Sequence, residues 1–353
     1  MNLSSSQRQT SLDAMRIFAM LLIVLHHYNV RGGGLAAESS GAVSLQGFSE
    51  ICVNLFVLLT GYFQVLKMFR WQKVLQLWGM VAFYSIGFMI VKYFYFGTLS
   101  FRDVLAGMFP LTTRAYWFIT VYFVLYLSSP FLNRMLRGLD KKSFLWLLSI
   151  TFVFTSIFPT FLPKTMALNP NNGYTFSWFF MLYCTGAYLQ CYYRETLQKH
   201  STPSTICGFV GYVLLACLLP LICSCVAVLL EKMNCISGIS VKLMFYNSPI
   251  VFAASLFCFC GFAGLRMNIP YINVVAPLVL GVYLIHDNHF VCSILYTKIL
   301  HSADTLRSAW YPLIAVGNTI LIFCVCCVIE KGRQSLFGWC KSGVEMMKSR
   351  NKR

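Results

Sequence analysis

The sequence predicts an all-α polytopic membrane protein with about ten transmembrane helices. Hydrophobic residues make up 58% of the 353 residues, only 11% are charged, and the mean hydropathy is +0.67. These values lie outside the range of ordinary soluble domains. The apolar residues recur in runs of about 20, which is the length a helix needs to cross a bilayer. The basic residues concentrate in the short gaps between these runs.

Ten apolar runs are interpreted as spans, in chain order. They cover about 12–30, 48–66, 74–96, 115–133, 143–162, 176–193, 204–230, 243–263, 272–297 and 310–330. Pro277, Pro312 and the polar residues 286–289 interrupt the last two runs. We therefore expect residues 1–330 to form one membrane-embedded domain and residues 331–353 to form a basic tail.

The distribution of lysine and arginine predicts that both ends of the chain are cytoplasmic. With ten spans and a cytoplasmic N-terminus, 19 of the 28 basic residues fall on the inner side, as the positive-inside rule requires. The net charge of +17 would also suit a protein that binds nucleic acid. However, the basic residues lie between apolar runs and form no single aromatic-rich module, so no nucleic-acid partner is predicted.

The 15 cysteines indicate neither a disulfide framework nor a zinc site. Most of them lie within apolar runs, where cysteine behaves as a small apolar residue. The two closely spaced pairs, Cys223–Cys225 and Cys258–Cys260, lack the spacing and the histidine partners of a zinc site. Packing is the favoured role.

The first span, 12–30, carries four ionisable residues: Asp13, Arg16, His26 and His27. At about 100° per residue, Arg16 and His27 fall within about 20° of each other and about 16 Å apart along the axis. His26 points about 80° away from Arg16. One interpretation is a buried Asp–Arg pair that sets helix register, with hydrogen-bonded histidines. A functional site is favoured, because packing does not require two histidines and an aligned arginine, and a neutral imidazole is a competent general base.

The second span and the loop after it carry a further set of polar residues. Glu50 and Asn54 are one helical turn apart near the outer end of the span. Lys67, Arg70 and Lys73 follow its inner end. Such a basic cluster suits an anionic, phosphate-bearing ligand. An anchor under the positive-inside rule explains these residues equally well.

Tyr122 and Tyr126 lie one turn apart within the fourth span, 115–133. They are deeper than the aromatic residues expected at the membrane interface. The two hydroxyls are therefore candidates for the wall of a cavity.

The ninth span, 272–297, contains four consecutive polar residues, His286, Asp287, Asn288 and His289. These side chains cannot all face lipid. A metal site is conceivable, but one short run supplies too few well-aimed ligands, so no metal is predicted. The residues predicted to line a cavity or bind an acceptor are Glu50, Asn54, Tyr122, His286 and Asn288.

Five segments in order resemble the integral-membrane acyltransferase 3 family, which acylates sugars and other hydroxyl acceptors across bacterial inner membranes. The resemblance extends from Leu12 to about Cys327, and its most specific element is the Arg-x10-His arrangement of Arg16 and His27. The segments are LDAMRIFAMLLIVLHHY (12–28), NLFVLLTGYF (54–63), WFITVYFVLYLSSPFLN (117–133), FMLYCTGAYL (180–189) and GVYLIHDN (281–288).

The resemblance implies a ten-span bundle in the bacterial inner membrane, with acyl-coenzyme A as donor substrate, acetyl by default, and no permanently bound cofactor. It implies that His27 is the catalytic base and Arg16 its partner, and Asp13 is expected to orient Arg16. Relatives carry arginines after the second span that are thought to help hold the donor. This chain has Arg70 and Lys73 there, and lysine pairs a phosphate without the bidentate fork.

The expected acceptor is a cell-surface glycan or its lipid-linked precursor, in contact with membrane lipids, and the chain is expected to be a stand-alone form without a hydrolase-like domain. Direct transfer and an acyl-histidine intermediate both remain open, as does the oligomeric state. The rival interpretation is a transporter or exporter of such an intermediate without covalent chemistry. The sequence lacks the inverted repeat and the paired broken helices that many transporters have.

Overall fold

The computed structural model describes residues 10–34, 40–113, 115–162, 171–199, 203–233, 239–265 and 267–350. Within these ranges the chain forms helices and turns and no strand. The prediction of an all-α protein is confirmed for this part of the chain.

The described residues form eighteen α-helices, of which eight lie in the first half of the chain. They are α1 (Thr10–Arg31), α2 (Ser40–Ser49), α3 (Cys52–Gln64), α4 (Trp71–Phe96), α5 (Phe101–Met108), α6 (Trp117–Gly138), α7 (Lys141–Phe152) and α8 (Phe158–Phe161). A π-helical turn, Val153–Ile157, joins α7 to α8.

The second half contains ten more helices. They are α9 (Phe176–Tyr188), α10 (Arg194–Lys199), α11 (Pro203–Met233), α12 (Ile239–Lys242), α13 (Pro249–Gly264), α14 (Pro270–Val275), α15 (Val279–His286), α16 (His289–Ile294), α17 (Ser302–Thr305) and α18 (Tyr311–Arg350). Single π-helical turns follow α9 and α16, and a 3₁₀ turn joins α14 to α15.

Six helical stretches in the described residues are long and apolar enough to cross a membrane. They are Thr10–Arg31, Gly41–Gln64, Trp71–Phe96, Lys141–Phe161, Ile206–Val226 and Tyr311–Gly338. A seventh candidate is a bent pair, Pro270–His286 with His289–Ile299, whose halves meet at 66°. A polytopic membrane protein is thereby confirmed.

Three predicted spans are helical without meeting the same length and composition criteria, at α6, α9 and α13. The number of ten spans and the side of the termini therefore stay predictions. The second span begins at Gly41, earlier than the predicted residue 48. Helix α18 continues across residue 330, so the predicted tail begins inside a helix, and its last three residues lie outside the described ranges.

Helix α1 lies in the core of the bundle. It packs against α2, α3, α13, α14, α15 and α18, and 67% of the residues in its most apolar stretch are buried. By contrast, only 28% of the residues in the corresponding stretches of α4, α11 and α18 are buried. The ionisable side chains of Asp13 and His26 on α1 are surrounded by protein, the arrangement that makes such residues tolerable inside a membrane, whereas Arg16 and Arg31 are 36% and 39% exposed.

Helices α3 and α9 cross at two glycines. A Cβ atom on Gly61 would collide with the Tyr183 carbonyl, and a Cβ on Gly186 would collide with the Leu58 carbonyl. The two backbones are therefore in direct contact, as small residues allow between membrane helices. This crossing fixes the wall of the cavity described below.

Candidate active site

Four ionisable side chains meet where the ninth span bends. His27 Nδ1 lies 3.0 Å from His286 Nε2 and 3.5 Å from Asp287 Oδ1. The Arg31 guanidinium donates to the same Asp287 oxygen at 3.2 Å. His286 and Asp287 are buried, and the His27 side chain is 13% exposed. A histidine of α1 is thus joined to a His–Asp pair that lies more than 250 residues later in the chain.

The acceptors around these rings assign the protons of both histidines. His286 Nδ1 lies 2.6 Å from the Val282 carbonyl oxygen, which can only accept, so this nitrogen carries a proton. In the neutral ring His286 Nε2 is then an acceptor, and His27 Nδ1 must donate to it. The neutral His27 ring therefore has its lone pair on Nε2, for which the described residues supply no hydrogen-bond partner.

The bend itself is built by Asn288. Its side-chain oxygen accepts from Phe290 N at 3.1 Å and caps α16, a role that asparagine favours. Its side-chain nitrogen donates to the Tyr116 hydroxyl at 2.9 Å, and that hydroxyl donates to the Leu284 carbonyl at 2.9 Å. Asn288 therefore ties α6 to the bend that presents His286 and Asp287.

A cavity of about 370 Å³ lies beside α1 and is lined by Arg16, Met20 and Ile23 of this helix; His27 follows one turn after Ile23 and is not among the lining residues. Arg16, Lys67 and Lys73 line one end. Further along it come Ile23, one turn before His27, and Tyr283, whose ring centroid is 6.3 Å from that of His27. Other lining residues include Phe56, Thr60, Tyr122, Tyr126, Pro277 and Leu280. The cavity thus extends from a basic end toward the histidines.

The basic end of the cavity is organised around one aromatic ring. Arg16 donates to Asp13 at 2.6 Å, and its guanidinium carbon lies 5.3 Å from the centre of the Phe63 ring. Lys67 Nζ lies 5.1 Å from the same centre. Partial burial, and then the positive charges of Lys73 and Arg16, lower the pKa of Lys67, against a smaller opposing effect of Asp13. Like charges held this close form a natural anion site.

Three buried polar atoms on the cavity wall make no hydrogen bond of ordinary geometry with the described residues. They are Gln64 Nε2 and the hydroxyls of Tyr126 and Tyr283. Buried polar groups in native proteins are nearly always satisfied. Their position along the cavity fits a ligand that carries polar groups along its length.

His26 belongs to a separate buried network. Gln46 Nε2 donates to Glu50 Oε1 and lies 3.3 Å from His26 Nδ1. His26 Nε2 lies 3.3 Å from the Tyr246 hydroxyl. Asn29 Nδ2 donates to Gln46 Oε1 at 3.4 Å. Both nitrogens of His26 are therefore engaged by protein groups, in contrast to those of His27.

The remaining predicted site residues fall in different places. Tyr122 and Lys73 line the cavity, while Arg70 is exposed at the N-terminus of α4. Glu50 faces His26 and Gln46. The fully buried Asn54 accepts from Trp178 Nε1 at 3.0 Å and donates to Ser255 Oγ and to the Tyr246 carbonyl. Its hydrogen-bonding groups are therefore used to join α3 to α9 and α13.

Of the four side chains that meet at the bend, Arg31 and Asp287 are missing from the predicted site, as is the neighbouring Tyr283. Arg31 lies one turn after His27 and therefore on the same face of α1, so helical spacing was a signal for it. Spacing within α1 could not bring Asp287 to His27, and nothing in the sequence distinguishes a cavity tyrosine from a packing one. Among the described residues, no group of three or more His, Cys, Asp or Glu side chains has the arrangement of a metal site.

Comparison with known proteins gives one family. A family model described as an acyltransferase domain matches residues 9–331, which include every residue of the histidine cluster and of the cavity. Neither the curated proteins nor the solved structures contain a match.

Proposed function

This chain belongs to the acyltransferase 3 family, and from that membership we propose that it moves an acyl group, most simply acetyl, from cytoplasmic acyl-coenzyme A to a hydroxyl of a cell-surface glycan or its lipid-linked precursor. The proposal includes ten spans with both termini in the cytoplasm, in a bacterial inner membrane. The positive-inside distribution of charge supports this orientation. In the proposed orientation, Arg16 lies toward the cytoplasm and His27 lies deeper in the membrane.

The observation that carries the proposal is His27 Nε2, for which the described residues supply no hydrogen-bond partner. His286 Nδ1 donates to the Val282 carbonyl, so His286 Nε2 accepts from the other ring nitrogen of His27, Nδ1. A base oriented by a second residue is the arrangement by which enzymes activate hydroxyl groups. Asp287 lies 3.5 Å from His27 Nδ1, where its charge would stabilise the imidazolium that forms.

The proposed transfer uses His27 as a general base. His27 Nε2 takes the proton of the acceptor hydroxyl while the hydroxyl oxygen attacks the thioester carbonyl carbon. The carbon–sulfur bond then breaks, the thiolate of coenzyme A leaves, and the imidazolium returns its proton to that sulfur. An acyl-histidine intermediate would use the same nitrogen as nucleophile. Isolation of an acylated His27 peptide after quenching with donor alone would select this second route.

The donor fits the cavity by charge and by length. Phosphate groups would meet Lys67, Lys73 and Arg16, with Arg70 beside them, since lysine and arginine both bind phosphate strongly. The amide-bearing arm would run past the unsatisfied polar atoms of the wall. Arg16 and His27 are eleven residues apart, about 16 Å along a helix, so an extended arm is needed to bring a thioester to the base.

The test is acyl transfer by the purified protein in lipid nanodiscs. His27→Gln should lower kcat roughly 10²–10⁴-fold, the usual contribution of a general base. The matched control is His289→Ala, because His289 is exposed and lies on the other side of the bend. A His27→Gln variant with parental kcat would remove His27 from the reaction.

A comparison of cells with and without the gene identifies the acceptor. Surface glycans should lose their O-acyl groups in the deletion strain, as measured by mass spectrometry and NMR. An unchanged acylation pattern together with altered glycan export would favour transport without chemistry.

A further inference from the structure

Three aromatic rings form a cluster next to the His26 network. The ring centroids of Trp117 and Tyr174 are 4.5 Å apart, those of Tyr174 and Tyr246 are 5.1 Å apart, and those of Trp117 and Tyr246 are 6.1 Å apart. Trp117 and Tyr246 are stacked at 23°. Tyr246 is buried, Trp117 is partly buried, and Tyr174 is 38% exposed. The cluster therefore descends from the surface to His26. We call these three residues the aromatic platform.

An unusual turn presents the exposed ring of the platform. Asn171, Asn172 and Gly173 all have positive φ, of 45°, 61° and 94°. Tyr174 N donates to the Asn171 carbonyl at 3.0 Å and closes the turn. Left-handed backbone at consecutive residues is uncommon, and such conformations persist where the surroundings enforce them, often at binding sites. A Cβ on Gly173 would meet the Tyr246 side chain at 2.7 Å, so glycine is required there.

The platform lies beside the His26 network and beside the bend that carries His286 and Asp287. Tyr246 contacts His26 through its hydroxyl. Tyr116, the neighbour of Trp117, is bonded to Asn288 and to the Leu284 carbonyl, which lie on either side of the His286–Asp287 pair. Burial raises the pKa of Tyr174 to about 12, and the charges of Glu50 and Arg31 act on it in opposite directions. The Tyr174 hydroxyl therefore lies within electrostatic reach of both networks.

We propose that the platform of Trp117, Tyr174 and Tyr246 binds the sugar ring of the acceptor, with Tyr174 as its exposed contact; this rests on the proposed function. A pyranose has an apolar face of C–H groups and an edge of hydroxyls. Flat aromatic rings pack against the first, while tyrosine hydroxyls and nearby polar side chains bond to the second. The platform lies outside the basic cavity, since among its members none lines that cavity. Donor and acceptor would then approach His27 from different directions.

The experiment uses the full-length protein in nanodiscs and three probes: methyl α-D-glucopyranoside, methyl α-D-galactopyranoside and methyl α-L-rhamnopyranoside. Binding is measured by saturation-transfer NMR without donor, and transfer is measured with acetyl-CoA. Tyr174→Ala should raise the Kd and the acceptor KM about tenfold for the preferred glycoside, because one stacked ring is lost. The KM for acetyl-CoA should not follow. Tyr174→Phe, which keeps the ring, should retain most of the affinity.

The matched control is Tyr271→Ala, which removes a tyrosine that is 80% exposed and lies outside the platform. The proposed platform would be overturned if the parent protein bound none of the three glycosides, or if Tyr174→Ala left the Kd unchanged. The proposed function fails separately: a parent protein that binds a glycoside through Tyr174 but never acylates it would keep the platform and lose the transferase.

Discussion

His26 and His27 are adjacent in the chain, and the structure gives them opposite circumstances. Gln46 and Tyr246 engage both nitrogens of His26. His27 has one nitrogen held by His286, and its other nitrogen has no hydrogen-bond partner in the described part of the chain. The difference comes from one step of about 100° around α1. Of these two neighbours, only His27 has a ring nitrogen that the described residues leave available to a substrate.

The sharpest test of this contrast is Asp287→Asn. An amide cannot stabilise the imidazolium that forms on His27, and it leaves Arg31 without its carboxylate. We expect kcat for acyl transfer to fall by roughly 10²–10⁴-fold, the range of proton-transfer catalysis, with a smaller change in the donor KM. Asp304→Asn is the control, because that side chain is 80% exposed. Equal kcat values in the two variants would contradict the role of Asp287.

His26→Phe tests the other side of the contrast. It removes the ring nitrogens that Gln46 and Tyr246 contact, and a buried polar group that loses its hydrogen bond costs about 1–3 kcal/mol. We expect a lower melting temperature in nanodiscs, while kcat per folded molecule stays within about one order of magnitude, or about 1.4 kcal/mol of barrier. If the loss in kcat matched that of His27→Gln, both histidines would belong to the chemistry.

A third variant perturbs the His27 side without touching any ionisable residue of the cluster. In Gly281→Ala the new Cβ on α15 would lie 2.5 Å from Glu330 Cγ. Overpacking of this kind costs about 1–3 kcal/mol, and the displaced helix carries His286, so both stability and kcat should fall. Gly317→Ala on α18 is the control, since no atom lies within 4 Å of its Cβ position. Parental stability and kcat in Gly281→Ala would show that α15 can shift without affecting His27.

The smallest effect concerns the basic end of the cavity. The folded protein lowers the pKa of Lys67, and the charged form is the one that attracts an anionic donor. Donor affinity should therefore be complete below that lowered pKa and should weaken as the pH rises through it. The measurement is the acyl-CoA KM between about pH 7 and 10, below the usual lysine pKa of about 10.4. Lys67→Arg should abolish this loss of donor affinity because arginine stays charged. An identical pH profile in this variant would show that a group other than Lys67 causes the loss.

Part of this candidate site can be predicted from the sequence, and part of it depends on contacts between helices. Helical spacing predicted that Arg16 and His27 share a face; Arg16 lines the cavity, and His27 lies beside its lining residue Tyr283. It could not pair His27 with His286, because spacing within one helix says nothing about which of the other helices it meets. It also suggested a cavity role for Asn54, whose bonds to Tyr246, Ser255 and Trp178 depend on packing that local pattern does not encode.

The fold shows the same division. Long apolar runs predicted the helices that now qualify as spans. Gly61 allows the close approach to Tyr183 that a small residue permits between membrane helices. The polar residues 286–289 predict only an interrupted span and not a bend. The bend angle follows from the cap of Asn288 and from its bond to Tyr116, the residue that precedes α6.

The hydrogen-bond chain from Val282 through His286 to His27 has an electrical consequence. In the proposed reaction the acyl group leaves toward the outer face, and the proton it displaces from the acceptor ends on the sulfur of coenzyme A at the inner face. Each turnover then exchanges an acyl cation for a proton and moves no net charge across the bilayer. A step that carried one charge would change by about 2.3 kcal/mol per 100 mV. Acylation should therefore proceed at the same rate in energised and de-energised vesicles, because its direction is set by the free energy released when the thioester is converted to an ester.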